Sequence, residues 1–310
     1  MRRVDAQLNR ARKDAAVKDA TTTKGIEQNT LLEYINDAQD RAQALISSSY
    51  ALFNIKEDIQ STVVDQEAYS ITDYRVYINN RFVSFEISSS GNLQDYCRLK
   101  KSNFHARNNN TGLPEEYLRR GASVLLNPIP DSTAYKLRVN YEAEVEDLDI
   151  RRGKIASIIG AGTPVSPITS ITLASSSPTP DGTDTVLADL EVGDYICVVD
   201  KDGNRIAKNL PVTGYSSLVI TVDSFELGIN DTLPAVGDYV CVGKYKTTHS
   251  ELPDTFDNYL VLYVIWRILG RKGSTAFSKA AEAALVAKEK EILEAYVSLG
   301  QEIQEIPYLD

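Results

Sequence analysis

The chain has 310 residues, of which 43% are hydrophobic and 25% charged, and its formal net charge at pH 7 is −10. This length allows one large domain or two ordinary ones, and the apolar content is sufficient for real cores. The acidic balance argues against a protein that grips nucleic acid by its phosphates, and the absence of an apolar run of about 18 residues argues against a membrane span.

The first segment, residues 1–28, predicts a flexible or helical N-terminal arm. Basic residues recur through it with alanines between them: Arg2, Arg3, Arg10, Arg12, Lys13, Lys18 and Lys24. An alternative is an arm that becomes ordered on an acidic partner. No apolar core segment follows the first charges, so no secretory signal is expected. Three cysteines without metal-ligand spacing suggest free thiols in a reducing compartment.

The first helix is predicted from Thr30 to about Ser48, because Thr30 and Glu33 fit a capping box. Apolar residues follow at helical spacing and predict a core-facing stripe: Leu31, Ile35, Ala38, Ala42 and Leu45. The opposite, solvent-facing side is predicted to carry Glu33, Asp37, Asp40 and Gln43. Residues 66–86 are then rich in β-forming residues and predict strands.

A β-hairpin is predicted between Leu113 and Glu144. Its first strand is the apolar run Ala122 to Leu126, and its second is the alternating segment Tyr135 to Tyr141. The segment between them contains Pro128 and Pro130, which lack the N–H groups that a ladder requires.

Residues 151–247 predict an inserted all-β domain, barrel-like or sandwich-like, with an internal duplication. Within it Val192-Gly193-Asp194-Tyr195-Ile196-Cys197-Val198 recurs as Val236-Gly237-Asp238-Tyr239-Val240-Cys241-Val242. The two cysteines occupy equivalent positions, which favours small buried apolar groups over metal ligands. Asp200 to Asn204 begins like a calcium loop, but position twelve is Pro211, so a hairpin turn is expected.

The last third predicts two helices, near 254–269 and 275–299, with Gly270 and Gly300 as their C-terminal caps. The tail that follows, residues 301–310, is expected to be extended. Its apolar side chains have nothing local to bury them, so they are predicted to bind a partner: Ile303, Ile306, Pro307, Tyr308 and Leu309.

The motifs of common enzymes and of metal or nucleotide sites are missing from the sequence. His105 and His249 have no ligand at metal spacing, and Gly160-Ala161-Gly162 is followed by Thr163-Pro164 rather than by a helix. Carboxylates are plentiful, but no pair has an acid–base arrangement that can be named. We therefore expect neither catalysis nor a cofactor nor a bound metal.

Two stretches resemble head-to-tail adaptor (connector) proteins of tailed bacteriophages. The first runs from Gly112-Leu113-Pro114-Glu115-Glu116-Tyr117 through Pro128 and Pro130-Asp131 to Tyr135-Lys136-Leu137-Arg138-Val139-Asn140-Tyr141. The second is Leu252-Pro253-Asp254, which directly precedes a predicted helix. The resemblance covers roughly residues 28–145 and 248–300, and residues 153–247 depart from the compact family form.

The resemblance implies an α+β fold: a helical bundle body with a β-hairpin, formed by 29–150 and 248–300, that carries the β domain. It also implies a virion protein, made in the host cytoplasm, that forms a ring, commonly a dodecamer, beneath the portal protein. Such a ring would join the capsid to tail or nozzle proteins, without contact with a membrane. DNA would pass through it without sequence-specific binding. A second reading is a tail-side or surface β-module that binds a glycan or a receptor.

Overall fold

The computed structural model describes residues 3–15, 28–48, 54–71, 82–90, 92, 95–102, 110–163, 165–174, 187, 190–225, 232–271, 273 and 275–304. The described helices are α1 (Val4–Asp14), α2 (Gln28–Ser48), the 3₁₀ turn η1 (Asp254–Phe256), α3 (Asp257–Arg271) and α4 (Thr275–Gln304). The described strands are β1 (Ile55–Ser61), β2 (Ala68–Ser70), β3 (Phe82–Ser88), β4 (Cys97–Arg98), β5 (Lys100–Lys101), β6 (Glu116–Arg120), β7 (Ser123–Asn127), β8 (Lys136–Glu142), β9 (Asp147–Leu148), β10 (Ile155–Ile159), β11 (Ile168–Leu173), β12 (Tyr195–Val199), β13 (Arg205–Ser216), β14 (Val219–Phe225), β15 (Tyr239–Val242) and β16 (Lys246–Thr247). The fold is mixed α+β.

The chain divides into two compact units. We call Tyr50–Glu144 the strand unit, and Met1–Ser49 with Val145–Asp310 the helix–barrel unit. All four described α-helices and strands β9 to β16 belong to the helix–barrel unit.

The strand unit is built from two four-stranded sheets, ordered β1-β8-β3-β4 and β2-β7-β6-β5. Their apolar faces form a common core, in which the Phe85 and Tyr117 rings lie with centroids 4.6 Å apart. Glu86 accepts hydrogen bonds from Arg138 on the neighbouring strand, and the Arg138 guanidinium lies 4.1 Å above the Tyr96 ring centroid. Polar cross-strand pairs therefore fix the register where the apolar pattern ends.

The predicted hairpin between Leu113 and Glu144 is wrong, although both of its strands exist. Strand β7 pairs with β6 and β2, whereas β8 pairs with β1 and β3 in the other sheet. A hairpin needs a tight turn, and that turn lies earlier, at Gly121, whose φ of 59° favours glycine. The proline-containing segment 128–135 instead connects one sheet to the other.

Helices α1, α2 and α4 all contact α3. Of the stripe predicted for α2, only Leu45 is half-buried, and the others are buried: Leu31, Ile35, Ala38 and Ala42. On α3 and α4, Trp266 is half-buried, and these residues are buried: Tyr259, Leu260, Tyr263 and Leu285. The N-terminal arm contributes Val4, Leu8 and Ala11, each at most 1% exposed. The first part of this arm is therefore a helix docked within its own unit.

The predicted solvent-facing side of α2 includes one error, because Gln43 is fully buried. The Gln43 side chain accepts a hydrogen bond from the backbone N–H of Val145 (3.0 Å). Two turns earlier, Asn36 accepts a hydrogen bond from the Leu148 N–H (2.7 Å) and donates one to the Leu148 carbonyl (3.1 Å). Gln39 donates to the carbonyl of Glu146 (3.2 Å). These three residues, which we call the amide ladder, hold the backbone that leads into the barrel.

The chain segments that enter and leave the barrel lie side by side. Strand β9 on the way in pairs in parallel with β16 on the way out. Just after β9, the buried Asp149 carboxylate accepts a hydrogen bond from the Val242 N–H (2.8 Å) and binds the Arg152 guanidinium (2.9 Å). Arg151, also buried, donates to the carbonyl of Lys201 in the barrel and contacts the Asp5 carboxylate of α1. The barrel is thus joined to the helices by paired buried charges.

The barrel itself is a six-stranded sheet ordered β10-β11-β14-β13-β12-β15. Its two edge strands are joined by backbone hydrogen bonds, such as the Ile155 N–H to the Asp238 carbonyl (2.7 Å) and the Val240 N–H to the Gly153 carbonyl (2.9 Å). The sheet is therefore closed, which removes the exposed edges that favour aggregation. Aliphatic side chains from all six strands fill the interior.

The repeated sequence motif has the same local structure in both copies. The N–H of Gly193 donates to the Val212 carbonyl and that of Gly237 donates to the Ile155 carbonyl, with φ values of 99° and 103° at the two glycines. The strands that follow pair with each other, and Cys197 lies opposite Cys241. The two halves are consequently related by an approximate two-fold axis through this pair.

Three predicted helix ends are wrong. Helix α2 begins at Gln28, so Thr30 lies inside the helix rather than at its cap. Helix α3 continues past Gly270, and the left-handed residue that follows it is Gly273, with a φ of 69°. Helix α4 runs through Gly300 to Gln304 because a glycine lowers helix propensity by only about 1 kcal/mol, which tertiary context overrides.

We predict that Leu260→Ala destabilises the protein by about 2–5 kcal/mol, because a fully buried leucine leaves a cavity when it is truncated. Urea unfolding followed by circular dichroism measures the change. Val286→Ala is the matched control, since Val286 is 55% exposed on α4, and its effect should be far smaller. Equal effects of the two substitutions would contradict this packing.

We also predict that Asp149→Ala costs about 3–5 kcal/mol, because it removes a buried carboxylate that binds the Arg152 guanidinium and accepts a hydrogen bond from the Val242 N–H. The control is Glu294→Ala, which removes an ion pair whose side chains are 79% and 68% exposed and should change stability by less than about 1 kcal/mol. Differential scanning calorimetry compares the two. A wild-type unfolding profile for Asp149→Ala would show that this pair does not secure the barrel.

Candidate interaction surfaces

The structure places only one of the predicted partner-binding residues. Ile303 lies in the last turn of α4. Ile306, Pro307, Tyr308 and Leu309 lie outside the described residues. The backbone is helical as far as Gln304, so residues 301–304 are not extended as expected.

Helix α4 is longer than its neighbours. Its Glu289 accepts hydrogen bonds from Tyr259 of α3 (3.1 Å) and from Arg41 of α2 (3.1 Å), which fixes the alignment of the three helices. Tyr259 is two residues after the first residue of α3, and Arg41 is seven residues before the last residue of α2, whereas α4 continues for fifteen residues beyond Glu289. At 1.5 Å per residue, the last two turns of α4, about 10 Å, therefore extend past both helices.

One side of α4 is exposed and apolar. Phe277 is 69% exposed, and Ala280, Ala284 and Ala287 follow it at three- and four-residue steps, all exposed. Val286, on another side of the helix, is 55% exposed. A large exposed aromatic residue beside small ones is the kind of surface that a second protein covers.

The corner between α3 and α4 contains a small cavity of about 190 Å³, lined by Gly270, Gly273, Thr275, Ser278 and Lys279. We call it the corner cavity. The sequence around it, from Arg267 to Lys279, carries four basic residues and no acidic one. Arg267 is paired with Asp37 at 3.4 Å, whereas Arg271 and Lys279 are exposed. The corner cavity thus combines a recess with positive charge in an acidic protein.

A larger and more polar cleft, of about 520 Å³, lies where the barrel meets the helices. Gly203, Arg205, His249 and Glu251 are among its lining residues. Arg205 is already paired with the buried Glu146, and the His249 ring lies 3.2 Å from the Gly203 carbonyl. The polar groups of the cleft therefore bind one another across the junction, which is typical of a structural contact.

One wall of this cleft is the turn that begins at Asp200. The Asp200 carboxylate accepts hydrogen bonds from the N–H groups of Asp202 and Asn204, both at 2.8 Å, and from the Asn204 side chain at 2.9 Å. Gly203 has a φ of 92°, and a Cβ there would lie 2.4 Å from the Thr248 hydroxyl, so only glycine fits. The sequence that resembles the start of a calcium loop therefore forms a turn held by hydrogen bonds within the turn itself, and Gly203 packs against Thr248.

The barrel exposes apolar residues at its loops. Val192 and Val236, the first residues of the two motif copies, are 70% and 71% exposed, and Val165 between β10 and β11 is 96% exposed. Because the duplication repeats Val192 and Val236 on strands that run antiparallel, these two valines lie at opposite ends of that pair. The exposed apolar residues of the barrel therefore lie at separate loops.

No group of three or more His, Cys, Asp or Glu side chains suited to a metal ion occurs within the described ranges. Burial raises the pKa of Cys197, and it raises that of Cys241 well above its ordinary value, so neither thiol is a ready nucleophile. Burial likewise raises the pKa of Tyr259, which remains a hydrogen-bond donor to Glu289. Among the described residues, no helix is long and apolar enough to span a membrane.

The described apolar surfaces, on α4 and at the loops of the barrel, are of the kind that other proteins cover. Residues 2–151 match the family model described as SU10 adaptor protein. The match supports a phage adaptor-type protein, which implies a virion component that interacts with other phage structural proteins. The matched family is not one of enzymes, and this confirms the prediction that the chain is not an enzyme. A search of curated proteins gives no match.

The matched residues include α1, α2 and the whole strand unit, and they end at the entrance to the barrel. They cover the first of the two stretches on which the resemblance to head-to-tail adaptors was based. The second stretch, 248–300, lies outside the match, as does the barrel. The amide ladder of α2 is a structural feature that sequence reasoning missed, and its only sequence signal is the i, i+3, i+7 spacing of Asn36, Gln39 and Gln43.

We predict a pH-dependent contribution of Asp200. Burial opposes its charge, but the hydrogen bonds from Asn204, Asp202 and Gly203 prevail and lower its pKa below the ordinary 3.8. A lowered folded-state pKa stabilises the fold above pH 3.8, and this contribution is lost as the pH falls through the folded pKa.

Asp200→Asn keeps an acceptor oxygen but removes the charge, so it should lower the free energy of unfolding at pH 7 and less so near pH 3. Urea unfolding at both pH values measures the difference. Asp202→Asn, in the same exposed turn, is the control. A destabilisation that is independent of pH would show that the charge of Asp200 is irrelevant.

Proposed function

We propose that this protein is a head-to-tail adaptor that forms a ring beneath the portal and joins the phage capsid to tail or nozzle proteins. The observation that carries the proposal is the adaptor-family match over residues 2–151. The ring is expected to be a dodecamer, as is common in the proteins that the sequence resembles. In this ring the helices form the body, and the barrel is a module inserted into it.

The surfaces of α4 support self-assembly. A ring of identical copies needs two different patches on each copy, one for each neighbour. The helix–barrel unit has several candidates, since Phe277 and its alanine neighbours are exposed on α4 and Val192 and Val236 are exposed on the barrel. Covering such residues releases water from apolar surface at about 25 cal/mol per Å².

The charge distribution supports a lumen through which DNA slides. The strand unit carries 11 basic and 12 acidic residues, so almost the whole net charge of −10 belongs to the helix–barrel unit. A surface without excess positive charge does not release the counterions of DNA and does not hold the duplex. We therefore propose that DNA passes without sequence-specific binding.

The C-terminal residues Ile303, Ile306, Pro307, Tyr308 and Leu309 are proposed to bind the portal or a neighbouring subunit. Pro307 favours an extended backbone for itself and for Ile306, which suits a groove or a sheet edge. Burying two or three such side chains at roughly 1.5–3 kcal/mol each offsets the cost of ordering them.

The other reading, a β-module that binds a glycan or receptor, makes a different prediction for solution mass. Size-exclusion chromatography with light scattering, together with negative-stain imaging, distinguishes the two functions. An adaptor gives closed rings, whereas a β-module protein gives particles close to the mass of one chain, 34.3 kDa. Rings that assemble on purified portal protein would support the adaptor. A protein that stays monomeric and does not bind the portal protein at high concentration would contradict it.

We predict that deletion of residues 301–310 leaves the helical content and the unfolding temperature near wild type, because Ile292 is the last buried residue among those whose burial the structure describes. Attachment to portal-bearing heads should be lost, because the apolar contact residues are removed. Co-sedimentation with such heads measures attachment. A variant that retains the segment but carries Val286→Ala is the control, and unchanged attachment of the truncated chain would remove the tail from the mechanism.

A further inference from the structure

The corner cavity is too small for most small-molecule ligands. Its volume of about 190 Å³ lies below the roughly 300–1,000 Å³ that is typical of such sites. A Cβ at Gly270 would lie 3.7 Å from the Ser278 hydroxyl, so a larger side chain at this lining position would narrow the recess. A recess of this size accommodates one or two protruding side chains of another protein segment.

The charge around the corner cavity selects an acidic segment. Lys279 lines the cavity and Arg271 lies within three residues of it, and both side chains are exposed. The N-terminus of the long helix α4 adds the positive end of its dipole at the same place. An acidic peptide with large apolar side chains therefore complements the recess.

The C-terminal segment of this chain has that composition. Residues 301–310 contain three acidic residues, no basic one, and Ile306, Tyr308 and Leu309 within four positions. The charge of the segment is thus opposite to that of the stretch from Arg267 to Lys279, which has four basic residues and no acidic one.

Geometry excludes an attachment of the segment to the corner cavity of its own chain. Helix α4 separates Ser278 from Gln304 by about 39 Å at 1.5 Å per residue. Leu309 lies five residues beyond Gln304, and five extended residues span at most about 18 Å. The segment that fills the cavity must come from a different copy.

We infer that the C-terminal segment of one copy docks in the corner cavity of a second copy, with its apolar side chains in the recess and its carboxylates on Arg271 and Lys279. The contact is head-to-tail, because the cavity and the segment lie at opposite ends of α4. Such a contact propagates from copy to copy and closes into a ring when the rotation allows it. The inference rests on the proposed self-assembly, for which it names one contact.

Disulfide trapping in the full chain tests the contact. In a C97S background, which removes the exposed native thiol, Ser278→Cys is combined with Glu305→Cys or with Asp310→Cys, so that two registers of the segment are sampled. Mild oxidation should give covalent dimers and higher ladders on non-reducing gels. Lys290→Cys with the same tail cysteines is the matched control, because Lys290 is exposed on the same helix about 18 Å from Ser278 and should trap little.

A charge exchange adds a second readout. Lys279→Glu should reduce trapping by up to about fivefold, the value of one exposed ion pair. Lys279 is exposed and lies near the positive end of the α4 dipole, where a negative charge is not unfavourable, so the fold should tolerate this change. Glu302→Lys together with Lys279→Glu should restore trapping in the Asp310→Cys chain. A loss that the second change does not rescue would contradict the ionic part of the contact.

Ring assembly is followed in parallel by light scattering on the same proteins. Rings without trapping at either tail position would overturn the docking and leave the proposed ring in place. Ladders without closed rings would support the docking and contradict the ring. Chains that remain monomeric and untrapped would overturn both.

Discussion

The amide ladder of α2 is the contact on which the helix–barrel unit depends. Asn36, Gln39 and Gln43 bind backbone groups of Val145, Glu146 and Leu148, in the segment that enters the barrel. Backbone groups that are buried without partners cost about 1–3 kcal/mol each, so this segment could not lie against an all-apolar helix. Helix α2 therefore packs in two ways: one stripe buries aliphatic side chains, and the neighbouring stripe of amide side chains binds the backbone of the segment that enters the barrel.

Everything that joins the barrel to the helices lies close to this segment. Asp149 follows the ladder directly and binds both Val242 and Arg152, and the Lys246–Thr247 strand returns beside the outgoing chain. An insertion whose two ends lie together costs its host little loop-closure entropy. The closed barrel adds no open sheet edge, which suits the assembly of identical copies that we propose.

The helices differ in how completely they are covered. Helix α1 is held against α3 by Val4, Leu8 and Ala11, whereas α4 leaves Phe277 and three alanines exposed and extends past its neighbours. Apolar surface that a single chain does not cover is costly in water. The assembly of identical copies that we propose would cover the exposed face of α4 and bring the acidic and basic ends of this helix together.

The sequence by itself determined the elements whose signal is local. Helical spacing predicted α2, α3 and α4, an apolar run predicted β7, and alternation predicted β8. The duplicated Gly-Asp motif predicted two equivalent turns. Tertiary structure alone decided which strands pair, because pairing depends on contacts between distant residues. It placed β7 and β8 in different sheets, buried Gln43 against Val145, and carried α4 through Gly300. A repeat of three or four residues shows which face of a helix is apolar, but only the packed chain shows what covers that face.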